Sequence, residues 1–317
     1  MLSIFVVTFP FFALVLCGYL AARGGLLPLA AIPGLNTFVL YFALPCMLYR
    51  FGAQTPIREM LDPGVFFVYL LCALLMVGLA VFAARRAQLT WNDSAFGALV
   101  AAFPNTGFMG VPLLVALLGK RAAGPAIVTI LVDLVITSSL CIALSRLDGA
   151  GSRGARSAAG QALKGVALNP MPWSILLGGL SSALALALPQ PLMQTLDMLA
   201  DAASPVALFT IGAVLARSRT NSSKATPLAD YLPIAVAKLV LHPALVLAGA
   251  TVAVSAGVPL DRFAITVMVL VACLPSASNV SMLAERFGAD NGRIARIIMI
   301  STALSFLTFS AAVHWLR

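Results

Sequence analysis

The sequence predicts an all-α membrane protein: ten transmembrane helices in two inverted five-helix repeats, with helices 4 and 9 discontinuous and crossed. Composition is the first observation behind this. Of 317 residues, 61% are hydrophobic and 10% charged, where soluble domains run at about 45–50% and about 25%. The 20 Lys+Arg and 11 Asp+Glu are too few to clothe a water-soluble chain of this length. Segmentation is the second observation, because the apolar residues gather into windows of roughly 20, the length that spans a hydrocarbon core of about 30 Å. Recurrence is the third: motifs of the first half return in the second.

The first window is Ser3–Ala21, which lacks a basic leader and is long enough to cross, so it reads as a retained span rather than a signal peptide. Ala31–Phe51 follows, carrying Asn36 and Pro45, and then Gly64–Ala84, which runs into Arg85 and Arg86. Ser94–Leu118 holds Phe103-Pro104-Asn105-Thr106-Gly107 near its middle, and Pro125–Ser145 holds Asp133. The Gly-Ala-Gly-Ser-Arg-Gly-Ala-Arg-Ser run beyond it has the composition of a flexible linker. The chain thus divides into residues 1–146, a cytoplasmic linker 147–165 and residues 166–317, with five spans on either side. The second five are Pro172–Leu188, Leu192–Ala216, Tyr231–Val254, Arg262–Glu285 and Arg293–Trp315.

Span 2 reads Ala43-Leu-Pro45-Cys-Met-Leu48 and continues to Gly52-Ala53, and span 7 reads Ala203-Ser-Pro205-Val-Ala-Leu208 and continues to Gly212-Ala213, all at an offset of 160. Pro104-Asn105 in span 4 is answered by Pro275-Ser276-Ala277-Ser278-Asn279 in span 9. Five is odd, so the second repeat inserts upside-down relative to the first. Lys and Arg crowd the odd-numbered loops, which by the positive-inside bias places those loops in the cytoplasm and both termini outside.

The net charge of +9 is scattered between apolar runs and forms no stripe or tail, so the expected partner is the bilayer and not nucleic acid. Cys17, Cys46, Cys72, Cys141 and Cys273 lie singly in apolar runs, which indicates neither disulfides nor a metal site. No P-loop, His-Glu-x-x-His, carboxylate pair within a span or nucleophile triad is present, so neither enzyme nor cofactor is indicated.

The interrupted spans carry the chemical signal. Proline lacks an N–H and clashes with the preceding turn, and Asn105, Thr106 and Gly107 leave helical geometry readily, so span 4 breaks near its middle. Pro275, Ser276, Ser278 and Asn279 predict the same in span 9. Lipid cannot satisfy the backbone groups a break exposes, so both breaks belong inside protein or along a wet cavity. Antiparallel spans broken at similar depth are most simply crossed, with two half-helix N-termini, each about +0.5 e, aimed at one point that suits an anion. The plainer alternative is two kinks, each repaired locally by Asn and hydroxyl groups. Asn36 is a further donor to the cavity, or a hydrogen bond to a neighbouring helix.

Asp133 and Lys238 lie inside spans, where a charge costs roughly 2.5–3.5 kcal/mol at the bilayer centre. Asp133 suits proton coupling, capping of backbone, or pairing with Lys238. Lys238 suits a transport role, snorkelling to the interface, or bonding the freed carbonyls of a broken helix. At about 1.5 Å rise per residue Lys238 sits about 6 Å inside and Asp133 about 4 Å outside the midplane, so pairing needs stretch or tilt. His242 reads as packing before proton relay. Ser301, Thr302, Ser305 and Thr308 read as interhelical packing, and Pro45 and Pro205 as bends. Gly178 and Gly179 permit close approach of a second copy, which is compatible with a homodimer.

Four stretches resemble the auxin efflux carrier family, in particular bacterial members described as malonate or auxin-efflux-like carriers: Asn36 to Pro45, Phe103 to Pro112, Lys238 to Pro243 and Leu274 to Asn279. The resemblance covers essentially the whole chain. It implies the crossed spans 4 and 9 of bile-acid symporter and sodium/proton antiporter folds, with elevator-like alternating access. It also implies spans 1, 2, 6 and 7 as scaffold, spans 3, 4, 5, 8, 9 and 10 as moving unit, and Asn105 and Asn279 on an organic carboxylate. The linker here is short where plant members carry a long hydrophilic loop, so auxin itself is not implied. The expectation is a proton- or sodium-linked secondary carrier of a small organic anion such as malonate, held between Pro104–Gly107 and Pro275–Asn279. A membrane sensor using the same pocket, or a channel, is the alternative.

Overall fold

A computed structural model of the chain describes residues 2–55, 62–147, 160, 170–186, 188–220 and 227–316. Most of the linker at 147–165 lies outside the described residues. Helices fall on the apolar windows: α1 (Leu2–Arg23), α2 (Leu29–Gln54), α3 (Pro63–Arg86), α4 (Trp91–Ala102), α5 (Thr106–Leu118), α6 (Lys120–Leu144), α7 (Pro170–Ala183), α8 (Gln190–Thr220), α9 (Leu228–Ser255), α10 (Arg262–Ala272), α11 (Asn279–Phe287) and α12 (Asn291–Leu316). Among the described residues, α2, α3, α6, α8, α9 and α12 are long and apolar enough to cross a membrane, by length and composition. The windows for spans 4 and 9 are each occupied by two shorter helices, α4 with α5 and α10 with α11.

Proline shapes several of these helices. α2, α5 and α9 each widen into a π turn just ahead of one: Val39–Ala43 before Pro45, Thr106–Gly110 before Pro112, and Ala237–Leu241 before Pro243. A proline ring collides with the carbonyl four residues earlier, and the wider turn gives it room. A fourth π turn, Val132–Thr137 in α6, has no proline behind it and contains Asp133. α7 stops at Ala183, short of the expected Leu188. Ala185 there takes a left-handed φ of 51° and the Leu186 N–H closes on Ser181 O at 2.9 Å, a closure that ends a helix.

The chain divides into two compact units, each drawing on both halves of the sequence. One comprises Met1–Asp62, Gly107–Val128 and Asn169–Ser223, and so holds α1, α2, α7, α8 and nearly all of α5. Its helices approach backbone to backbone. A Cβ on Gly18 of α1 would lie 1.8 Å from Phe209 O in α8, and one on Gly212 of α8 would lie 1.9 Å from Val15 O in α1. The α2–α7 contact is built alike, with a Cβ on Gly178 falling 2.3 Å from Tyr49 O, beside Gly52. Gly18 and Gly178 are 160 residues apart, as are Gly52 and Gly212, so the offset between spans 2 and 7 exchanges one glycine crossing for the other. Gly178 thus serves a contact within the chain. Asp197 and Asp201, which fall in the first turns of α8, meet Arg50 of α2 at 3.3 and 2.7 Å.

The second unit comprises Pro63–Thr106, Thr129–Leu168 and Lys224–Arg317, and so holds α3, α4, the later part of α6, and α9 to α12. α3 buries Val65, Tyr69, Cys72 and Met76 on one side, while Phe67, Leu71, Leu75 and Phe82 point outward. A hydrophobic outward side suits lipid as solvent. At one end of the unit, buried Arg293 donates from Nε to Asp230 O at 2.8 Å and from Nη1 to Asp93 O at 3.3 Å. Asp290 accepts the Arg293 N–H at 3.0 Å, and its own N–H reaches Asp93 Oδ1 at 2.8 Å. The first turns of α4, α9 and α12 are thereby fastened together. Gly97 leaves room for the guanidinium, since a Cβ there would sit 3.3 Å from Nη1. Gly97→Leu is expected to destabilise the protein by about 1–3 kcal/mol through overpacking. Gly78→Ala on α3, with nothing within 4 Å, is expected to leave the thermal unfolding midpoint in place, and one melting comparison checks both.

Candidate functional site

The site grows from the two breaks, within the second unit. α4 starts from Thr90, whose Oγ1 accepts the Asp93 N–H at 3.0 Å, and α10 starts from Asp261, whose carboxylate accepts the Phe263 N–H at 3.3 Å. Both helices then run into proline. Phe103, at the end of α4, is extended (φ −98°, ψ 100°). Pro104 pairs antiparallel with Ser276 across the junction. The Asn105 N–H donates to Pro275 O at 2.8 Å and the Ala277 N–H donates to Phe103 O at 2.9 Å. Residues directly opposite in such a bridge exchange no bond with each other, so the N–H that Pro104 lacks is not missed. The Ser276 N–H is taken by Ser301 Oγ on α12 at 3.2 Å. Past the bridge, α5 begins at Thr106 and α11 at Asn279. The interruptions meet, which separates this arrangement from two independent kinks.

The junction is buried, with Asn105 3%, Thr106 0% and Ser276 1% exposed. Ser278 and Asn279 are half-buried. Thr106 Oγ1, Ser276 Oγ and Asn279 Oδ1 are buried atoms without a hydrogen-bond partner. One such atom left unsatisfied costs about 1–3 kcal/mol, so three at one junction leave unused hydrogen-bonding capacity there. Pro104, Asn105, Thr106, Pro275, Ser276, Ser278 and Asn279 are thus gathered as the sequence predicts. Asn36 lies half-buried in α2, which belongs to the other unit, and Gly107 begins that unit's second segment.

Asp133 and Lys238 are both fully buried in the second unit, and among the described residues no ion pair joins them. Asp133 instead accepts two hydroxyl donors, Tyr69 OH on Oδ2 at 3.0 Å and Thr137 Oγ1 on Oδ1 at 3.3 Å. Lys238 Nζ donates to Ala272 O at 2.7 Å and lies 3.1 Å from His242 Nδ1. Complete burial overturns the snorkelling reading of Lys238. Its ammonium sits on a freed carbonyl at the C-terminal end of α10, where a half-helix carries partial negative charge. Asp133 and Lys238 each fall in a π turn, a distortion frequent at functional sites.

Sequence reasoning missed Tyr69 and Ser301 as members of these networks. Tyr69 had a readable signal, a phenol in an otherwise apolar stretch of span 3 that needs a partner once buried. Ser301 had none beyond its hydroxyl, because its reach to the Ser276 N–H depends on how α12 packs against the break.

A family model described as membrane transport protein matches residues 3–313. A Rhizobium meliloti protein named "Putative malonate transporter" is 31% identical, over 97% of this chain and 94% of its own length. "Uncharacterized transporter YfdV" of Escherichia coli is 26% identical over 95% of this chain and 92% of its own. An "Uncharacterized transporter" of Methanothermobacter thermautotrophicus is 26% identical over 93% and 92%.

Proposed function

This chain belongs to the membrane transport protein family, and from that premise we propose that it is a secondary carrier of small organic anions, with malonate the first cargo to test. The observation that carries the reading is the Pro104–Ser276 bridge with its three unpartnered oxygens. The Thr106 and Ser276 hydroxyls can turn to donate, and the Asn279 amide, turned over, presents Nδ2. Two helices start at this junction, and exposed N–H groups at helix starts favour an anion. Lys238 adds a formal positive charge on Ala272, just ahead of the Pro275 break. A carboxylate held there would meet Asn105, Thr106, Ser276, Ser278 and Asn279.

On this reading ten spans form two inverted repeats, and the exchange of glycine crossings at the 160-residue offset supports it. One compact unit holds α1, α2, α7 and α8, the scaffold helices of an elevator carrier on this reading, together with nearly all of α5 and the start of α6, which the resemblance assigns to the moving part; the other unit holds α3, α4, the later part of α6 and α9 to α12. Asp133 and Lys238 serve ion coupling or charge compensation. The setting is a bacterial cytoplasmic membrane with both termini outside.

Proteoliposomes preloaded with malonate are expected to take up labelled malonate by saturable counterflow. Binding without counterflow would make the protein a sensor, and unsaturable flux would make it a channel. Either outcome ends the carrier reading.

A further inference from the structure

We propose that Lys238 and His242 form a proton-carrying pair whose open end is His242 Nε2, so that the carrier runs on protons and not on sodium; this rests on the carrier reading. Both side chains are fully buried, and the π turn Ala237–Leu241 brings them together on α9. One Lys238 hydrogen is fixed on Ala272 O at 2.7 Å. Nζ also lies 3.1 Å from His242 Nδ1, and a hydrogen must stand between those two nitrogens. Two arrangements provide it. In the charged one, the ammonium donates to a bare Nδ1 and the ring carries its hydrogen on Nε2. In the neutral one, Nδ1–H donates to the lone pair of an uncharged amine and Nε2 is bare.

The two forms interconvert when one proton shifts from Nζ to Nδ1 and another leaves Nε2 for a water molecule admitted to the buried ring during the transport cycle. One proton departs, one positive charge is lost, and Nζ keeps its bond to Ala272 O throughout. A doubly charged pair would hold two cations at hydrogen-bond distance inside the protein, which burial forbids. His242 Nε2 is buried and unpartnered, the one ring atom left to give up or receive the proton.

Few other titratable groups face the pair. α3 brings Tyr69, its ring centroid 6.1 Å from the imidazole and its hydroxyl committed to Asp133, together with Cys72, which donates to Leu245 O at 3.4 Å. α6 brings Asp133 and α10 brings Cys273, and both act on Lys238 electrostatically. α4 and α12 add no charged group that acts on the pair among the described residues. Sodium lacks a seat here. Both Asp133 oxygens hold hydroxyl donors, and the carbonyl end of the half-helix α10, where carriers coordinate such ions, holds an ammonium. That ammonium stands at Ala272, ahead of Pro275, so an anion at the bridge stabilises the charged form. Anion entry and proton entry therefore favour each other.

Malonate-loaded proteoliposomes give two readouts: counterflow, which needs no net proton movement, and accumulation under an outside-acid pH gradient. Wild type is expected to accumulate malonate on the pH gradient and not on a sodium gradient. Lys238→Arg holds its proton permanently, and His242→Gln accepts from Nζ but relays nothing. In both, the ratio of pH-driven accumulation to counterflow is expected to fall at least about tenfold, whatever the absolute flux. An unchanged ratio in either variant overturns the proposal, and so does wild-type accumulation on a sodium gradient. Should a variant not fold, wild type alone decides. Malonate-binding heats in two buffers of different ionisation heat must show proton uptake at some pH between about 6 and 9, and its absence overturns the pair as proton carrier. Absence of wild-type counterflow is a separate result, which removes the carrier reading and this proposal with it.

Discussion

Asn105→Ala and Asn279→Ala are each expected to suppress malonate binding and counterflow while the yield of folded protein stays unchanged. The part of Asn105 in the bridge is its backbone N–H, which alanine retains. The Asn279 side-chain oxygen has no protein partner, so its removal strands nothing in the free protein. What each substitution removes is a hydrogen bond to a charged cargo, about 1.5–3 kcal/mol, or roughly 10- to 150-fold in affinity. Calorimetric titration with malonate and counterflow in proteoliposomes check this together. Near wild-type behaviour of both variants would remove the bridge from consideration as the binding site.

Gly18→Ala and Gly212→Ala are expected to cause the largest losses of stability, although each adds only one methyl group. A Cβ at either position would stand 1.8 or 1.9 Å from a carbonyl oxygen of the facing helix. No rotamer relieves that overlap, so α1 and α8 must move apart along the whole crossing. The expected penalty lies at or above the upper end of the about 1–3 kcal/mol typical of overpacking. Size-exclusion profiles and melting curves in detergent report it. Gly34→Ala on α2, with nothing within 4 Å, is the comparison. Equal melting of Gly34→Ala and Gly212→Ala would show that the α1–α8 crossing is looser than described.

The breaks at Pro104 and Pro275 were readable because two general constraints coincide there: proline removes an N–H, and lipid offers no substitute for lost backbone bonds. Depth arguments could also bring the breaks together. The register could not be read, because which amide reaches which carbonyl depends on a packing angle that no single span encodes. Lys238 shows the same boundary. Three uses of an intramembrane ammonium were open; complete burial excludes snorkelling, and the bond to a freed carbonyl shows only in the position of Ala272 O. Gly178 meets a related limit, since a glycine announces close approach without naming the neighbour. The offset relates Gly18 to Gly178 and Gly52 to Gly212, but which of these meet, Gly178 with Gly52, shows only in the packing. The early end of α7 had no such signal, as alanine seldom adopts the backbone that Ala185 holds.

The bridge at Pro104 and Ser276 is closed by main-chain atoms: the N–H groups of Asn105 and Ala277 and the carbonyls of Pro275 and Phe103. Side chains at 105, 106, 276 and 279 therefore supply none of the hydrogen bonds that close it. If the bridge is the proposed carboxylate site, exchanging a hydroxyl for an amide or a methyl at those positions changes what is carried before assembly suffers. A lineage built on this frame can diversify its diet one residue at a time.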